Sequence, residues 1–331
     1  MARILLLLGG ETGEREVSLA SGHACAQALS GLGHELRLLD PLRPRELAPL
    51  AAFPFGQGPR EESPLLLRLE PAQVEALVAA LRAEAPDLVF NCLHGGFGED
   101  GHLAALCELL GLPLSSSPSL ASALAMDKAR TRTWMEGLGL PVAPGRLVPR
   151  GAALEVEDML PAGPLVVKPN CMGSSVGVRI VEQPEDLPAA LAEVHALGDD
   201  ALVEAFVPGR ELTCAWLDGR TLPVVEIRPR DGGWYDYRRK YSGGTDYLCP
   251  APLDADLAQR LGEWTAALNQ SLGCRGATRT DWRLGPDGRP CCLEINITPG
   301  MTDASLVPKA AAAAGLDFPA LLACIVEAAL R

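Results

Sequence analysis

The first third of the chain places the strongest constraint on the fold. Residues 4–8 form a continuous apolar run that ends in the glycine-rich, charged loop 9–16. A run without polar alternation reads as a strand buried on both faces, and such strands belong to parallel sheets covered by helices. The pattern then repeats. Residues 17–29 carry helical apolar spacing, Glu35–Leu39 is a second strand, Pro71–Glu84 a helix, and residues 87–90 a third strand opening onto "NCLHGGFGEDG". His102–Leu110 is the next helix. Short strands alternating with helices predict an α/β, Rossmann-like domain built on a parallel sheet. Ligands gather beyond the carboxyl ends of such strands, and the polar loops 9–16 and 91–101 both lie there.

The signals change further on. Residues 43–63 are proline-rich and weakly periodic and predict a loop, and "SSSPS" (115–119) marks a boundary. A helix over 121–138, strands over 165–168 and 176–181, a helix over 187–196 and a strand over 201–204 make a smaller unit. After "VPGRE" come strands over 212–217, 223–227, 277–284 and 290–297, with helices near 253–272 and 316–330. The expected domains are 1–116, 117–207 and 208–331, and 331 residues suffice for three cores. A net charge of −13 argues against a broad nucleic-acid or anionic-membrane surface. The ten cysteines contain no C-x-x-C pair, so they read as small buried hydrophobes in a reducing cytosol rather than as disulfides or zinc ligands. Residues 4–8 are too short for a signal segment, and no stretch approaches a membrane helix. A soluble, cytoplasmic protein is expected, with no nucleic-acid or membrane partner.

Chemistry concentrates in a few segments. "ATRTDWRLGPDGRPCCLEIN" reads as strand, turn, strand, with residues 285–288 as the turn. Antiparallel pairing about Asp287 sets Asp281 opposite or beside Glu294, and Arg279 near Asn296, all on one face. Adjacent carboxylates repel unless a cation sits between them. Asp, Glu and Asn oxygens beside an arginine suit Mg²⁺ and phosphate; a solvent-facing charge ladder accounts for the same pattern. "VVKPNCMGSSVG" joins two strands through a glycine and serine loop that could fold over phosphate or simply turn, and it is not a Walker A loop. "FNCLHGGFGEDG" places His94 and then Glu99-Asp100 in a glycine-rich loop suited to hydrogen-bonding a substrate, or to a metal triad, which the lack of a second histidine at ligand spacing disfavours. Glu16 reads as a cap for the following helix, and Glu14 as better placed to meet an ammonium group. "WYDYRRKYSGGTDY" (234–247) is either a mobile flap offering Lys240 and Tyr241, or an exposed loop with three solvated cations.

Taken in order, "GGETGEREVSLASG", "LHGGFGEDG", "ALAMDKARTR", "VVKPNCMGSSVG", "YDYRRKYSGGTDYLCPAPL" and "LEINITPGMTDASLVPKAA" resemble the D-alanine–D-alanine ligases of the ATP-grasp superfamily, nearly end to end. The resemblance implies three α/β domains with ATP held between the central and C-terminal ones. It implies that Lys128, Lys168 and Lys240 contact phosphate, with Ser174 and Ser175 in the loop above. Glu204, Phe206 and Val207 would line the adenine, and Glu211 would bind the ribose. Asp281, Glu294 and Asn296 would hold two Mg²⁺ ions, or Mn²⁺. Glu14 would hold the ammonium of the first D-alanine in a triad with Ser174 and Tyr241. His94, Ser305 and Leu306 would position substrate, and Arg279 with the Gly300 N–H would face the oxyanion.

The implied reaction joins two D-alanines through an acyl phosphate, for peptidoglycan precursors, in a homodimer. Three departures from the family pattern stand out: Ala205 where a lysine is common, "NCMG" before the serine loop, and Arg238-Arg239 in the flap. Lys240-Tyr241 favours D-alanine over D-lactate as acceptor. The alternatives are a sister ligase for another D-amino-acid pair, such as D-alanine with D-serine, and a nucleotide-binding paralogue without turnover. Intact Asp281, Glu294, Asn296 and Arg279 oppose the latter.

Overall fold

The computed structural model describes residues 1–53, 69–152, 163–233, 244–302 and 304–331. Strands β1 (Arg3–Leu7), β2 (Glu35–Leu39) and β3 (Leu88–Asn91) form a parallel sheet in the order β2-β1-β3. Its pleat explains the unbroken apolar run. Ile4, Leu6 and Leu8 enter one core with Cys25 and Leu29 of α1 (Arg15–Gly31). Leu5 and Leu7 enter another with Leu77 and Leu81 of α2 (Pro71–Glu84) and Leu103 of α4 (His102–Leu110), which follows the single turn α3 (Gly96–Glu99). Successive side chains point to opposite faces, so a doubly covered strand must be apolar throughout.

The helix expected over 121–138 is two, α5 (Ser119–Met126) and α6 (Lys128–Gly137). Asp127 ends one and caps the other, accepting from the Arg130 amide at 3.0 Å and from Asn170 Nδ2 at 3.0 Å. An aspartate cap satisfies amides that a continuous helix would not expose. Next comes an antiparallel sheet, in the order β4-β7-β5-β6, of β4 (Gly145–Val148), β5 (Leu165–Pro169), β6 (Arg179–Val181) and β7 (Ala201–Ala205), packed on α7 (Leu187–Ala196). The strand expected from 176 starts only at Arg179, because Ser174 and Ser175 turn through positive φ.

The largest sheet runs β11-β10-β8-β12-β13, with β9 (Arg220–Thr221) paired to β8 (Arg210–Leu217). Its other strands are β10 (Val225–Pro229), β11 (Thr245–Leu248), β12 (Ala277–Leu284) and β13 (Pro290–Asn296). One face packs on α5 and α8 (Ala255–Leu272). The other joins the N-terminal core through α9 (Leu306–Ala313) and α10 (Phe318–Leu330). The strand expected over 223–227 lies two residues later, and β4, β9, β11 and α9 were not anticipated. Among the described residues no single helix is long and apolar enough to cross a membrane. The cysteines carry no disulfide; most are buried as expected, but Cys171 is exposed.

Candidate active site

The register of the terminal hairpin assembles one wall of a cleft. Asp281 pairs directly with Glu294 and Arg279 with Asn296, and an irregularity past Asp281 makes Trp282 pair with Cys292, leaving Leu293 as the extra residue. Arg279 Nε lies 3.2 Å from both Asp281 oxygens, and the Thr213 hydroxyl donates to Asp281 Oδ1 at 2.6 Å. Asn296 Oδ1 accepts from the Thr298 amide at 3.1 Å where the strand ends. Lys128, first residue of α6, places Nζ 3.6 Å from Glu294 Oε2 and donates to the Met172 carbonyl at 2.6 Å. Two cations thus flank two carboxylates that would otherwise repel.

Two recesses open on either side of this wall, and Lys128, Gly173, Ser174, Arg279, Glu294 and Leu306 line both. The inner one is closed by Glu14, His94, Asn296, Gly300 and Ser305. Glu14 stands at the N-terminus of α1, yet its side chain caps nothing there and instead accepts from Ser174 Oγ, 160 residues away. A helix N-terminus favours a carboxylate in either role. The Thr12 hydroxyl donates to the His94 carbonyl at 2.6 Å and accepts from the Glu14 amide at 3.2 Å, tying the two polar loops together. Glu16, expected to cap, lies inside the first turn. A Cβ at Gly173 would lie 3.0 Å from Glu14 Oε2, so the loop backbone approaches the Glu14 carboxylate closely. Ser174 and Ser175 adopt φ of +54° and +60°. Left-handed backbone costs a non-glycine residue about 1–2 kcal/mol and clusters where geometry is over-determined.

His94 is buried, with Nδ1 3.7 Å from Glu99 Oε1 and Nε2 3.4 Å from Ser21 Oγ. Burial opposes the imidazolium, but the Glu99 carboxylate outweighs it and holds His94 above its ordinary value. Burial pushes Glu99 up as well, so the pair holds its protons more tightly than the free groups do. Ser305 immediately precedes α9, and its hydroxyl accepts from the Thr302 amide at 3.0 Å.

The outer recess runs along β5 and β7. Lys168 Nζ meets Glu204 Oε2 at 2.6 Å, with both side chains buried. Burial alone would lower the lysine; the carboxylates of Glu204 and Glu294 outweigh it and keep the ammonium above the ordinary range. Asn170 locks the end of β5 to the start of α6, its Oδ1 accepting from the Ala129 amide at 2.9 Å. That bond fixes Lys168 and Lys128 relative to each other. Ser175, Glu204, Phe206, Val207, Glu211, Asp281 and Arg283 also line it.

All the candidates named from the sequence that fall among the described residues therefore line one recess or the other. Lys240 and Tyr241 lie outside the described residues. Thr12 and Arg283 were not among the candidates, and Glu99 was named only beside His94 and Asp100 as a possible metal triad; it lines the inner recess as the partner of His94. Arg283 follows Arg279 and Asp281 at strand spacing, a signal the pattern did contain. Thr12 offered none, since its partner lies 82 residues away.

Residues 136–327 match the family model described as "D-ala D-ala ligase C-terminus". A D-alanine–D-alanine ligase of Gluconobacter oxydans is 40% identical over 332 residues, covering 99% of both chains. One from Paramagnetospirillum magneticum is 42% identical over 334 residues, covering 99% of this chain and 98% of its own. The crystal structure of the Bacillus anthracis D-alanine–D-alanine ligase complexed with ATP superposes with a TM-score of 0.78 at 28% identity, covering 100% of this chain and 98% of that one.

Proposed function

The chain belongs to the D-alanine–D-alanine ligase family, and from that premise we propose how its cleft carries out the family's reaction. The activity is the ATP-dependent joining of two D-alanines to D-alanyl-D-alanine for peptidoglycan synthesis, releasing ADP and phosphate. The observation that carries the residue assignment is the single wall of Lys128, Arg279 and Glu294 shared by two recesses, one bearing Glu14 and the other Lys168. A phosphoryl group passing between nucleotide and amino acid needs both sites to open on the same cationic edge.

In the inner recess Glu14 holds the ammonium of the first D-alanine, and the Ser174 hydroxyl orients the Glu14 carboxylate. The reading gives Tyr241 the third place in this triad. His94, Ser305 and Leu306 shape the subsite. The carboxylate of the first D-alanine is phosphorylated, and the amine of the second attacks the acyl phosphate. Arg279 and the Gly300 N–H stabilise the oxyanion, at roughly 3–4 kcal/mol per well-placed donor. Lys128, Lys168 and Lys240 neutralise phosphate charge, Ser174 and Ser175 cover it, Glu204, Phe206 and Val207 border the adenine, and Glu211 binds the ribose.

The metal reading fits the donor set. Asp281 and Glu294 face one another across the hairpin, and Asn296 offers a carbonyl oxygen with a second lone pair. Such hard oxygen donors would hold two Mg²⁺ ions, or Mn²⁺. When bound, the metal supplies charge neutralisation at the transferring phosphoryl group. The proposal further includes domains 1–116, 117–207 and 208–331, a homodimer, and a cytoplasmic location.

The test is ADP release with Mg²⁺-ATP and each of D-alanine, L-alanine, D-serine and D-lactate, with products identified by mass. D-alanine-dependent turnover yielding the D-alanyl dipeptide is expected. Turnover with only another pair would move the chain to a sister specificity.

A further inference from the structure

Arg283 makes three contacts that the ligase reading does not use. It lies on β12 directly opposite Glu211 of β8, and its NH1 meets Glu211 Oε2 at 3.1 Å. Its Nε donates to the Val207 carbonyl at 3.0 Å, and the guanidinium sits over the Phe206 ring, 5.7 Å from the centroid. The side chain is 13% exposed and that of Glu211 19%, so solvent screens the pair little. One guanidinium thus grips both ends of the short segment that leaves β7 and enters β8. Ala205, the last residue of β7, offers no polar side chain there.

We infer that Arg283 is a nucleotide-positioning residue, an assignment that rests on the ATP reading above. Only a planar, permanently charged fork can bond a carbonyl and a carboxylate while stacking on a ring. Holding the Val207 carbonyl fixes the backbone edge that faces the adenine. Holding one Glu211 oxygen aims the carboxylate, whose other lone pairs accept from the ribose hydroxyls. Arg283 therefore sets affinity and sugar discrimination for the nucleotide, and leaves the amino-acid recess untouched, since it does not line it.

The experiment measures ATP and 2′,3′-dideoxy-ATP binding by calorimetry, with KM for D-alanine and thermal midpoints, on the wild type, Arg283→Met and Arg283→Lys. Arg283→Met is expected to weaken ATP by about tenfold or more while KM for D-alanine stays within about twofold. Its preference for ATP over the dideoxy analogue should shrink, because Glu211 is no longer aimed. Arg283→Lys keeps the charge and the stem but cannot make both bonds, so about a threefold loss is expected; it decides the matter should the methionine variant fail to fold. ATP affinity within twofold of wild type in a folded variant overturns the inference. So does an equal loss toward ATP, the dideoxy analogue and D-alanine, which marks a merely structural ion pair. A wild-type chain that binds no ATP overturns the ligase reading along with it.

Discussion

The two faces of the β12–β13 hairpin carry opposite chemistry. One face carries Arg279, Asp281, Arg283, Glu294 and Asn296, all half-buried. The other buries Thr278, Thr280, Trp282, Cys292 and Ile295, with Trp282 stacked on Trp264 of α8 at 5.8 Å. A one-residue slip would exchange the faces, so the apolar face holds the register that the charged face needs. The charged face adds little to the fold: directly opposed carboxylates repel across a strand pair, and Arg279 and Lys128 offset that repulsion. Stability and chemistry are thus separated by the thickness of one backbone, and substitutions on either side should have separable effects.

The largest effect belongs to the apolar face. Trp282→Ala should cost about 3–5 kcal/mol in urea unfolding, while the variant, at a temperature where it is folded, keeps KM for ATP and D-alanine near wild type. A folded variant with lost substrate affinity would break the separation. Glu294→Gln is the mirror image. ADP formation should fall by at least about a hundredfold, comparable to removing one electrostatic contact in a transition state. Its thermal midpoint should stay near wild type, since relieving the like charge opposite Asp281 gains about 0.2–1 kcal/mol and losing the Lys128 pairing offsets it. A large drop in the midpoint would mean that Glu294 belongs to the scaffold.

The serine loop sharpens the same comparison from the far side of the cleft. Ser174→Ala and Ser174→Gly both remove the hydroxyl that reaches Glu14, and both should raise KM for D-alanine by about tenfold, the worth of a charge-assisted hydrogen bond. Only the glycine variant also relieves the positive φ, so it should unfold at higher urea than the alanine variant, by about 1 kcal/mol. Equal stabilities would show that the loop carries no backbone strain.

Much of this was legible in the sequence, for reasons that differ by element. The β12–β13 pairing followed from a turn signal and a period of two, both local. The N-terminal strands were legible because burial on both faces leaves an unbroken apolar run. The α5–α6 break was not, because Asp127 reads as an ordinary polar position until Asn170 arrives from another strand. β4 and β11 are four residues each, as β3 is, but they lack the continuous apolar run that made β3 legible. Arg279, Asp281, Glu294 and Asn296 came from the hairpin register, and the roles and the nucleotide contacts from the motif resemblance; no local pattern in "GGETGE" requires Glu14 to meet Ser174. Arg283 repeated the strand spacing of Arg279 and Asp281, and its meaning depended on Val207 and Glu211, which β8 brings alongside.

The finest test concerns His94 and Glu99, where chemistry and core are not separated at all. Glu99 holds the His94 imidazolium above its ordinary value of 6.5, against burial; Glu14 adds to the effect and Arg279 opposes it. A group whose folded pKa is raised contributes stability that is complete below its unfolded value and is lost as pH rises through its folded one. The stability difference between the wild type and His94→Gln, from urea unfolding at a series of pH values, should therefore shrink as pH increases above about 6.5. Glu99→Gln removes the largest favourable charge and leaves burial, which lowers a histidine. His94 should then titrate below its ordinary value, and the slope should reverse, with stability rising as pH passes upward through that region. The histidine of the wild type and that of Glu99→Gln thus have opposite predicted slopes. Parallel slopes would mean that the proton is held elsewhere in the recess.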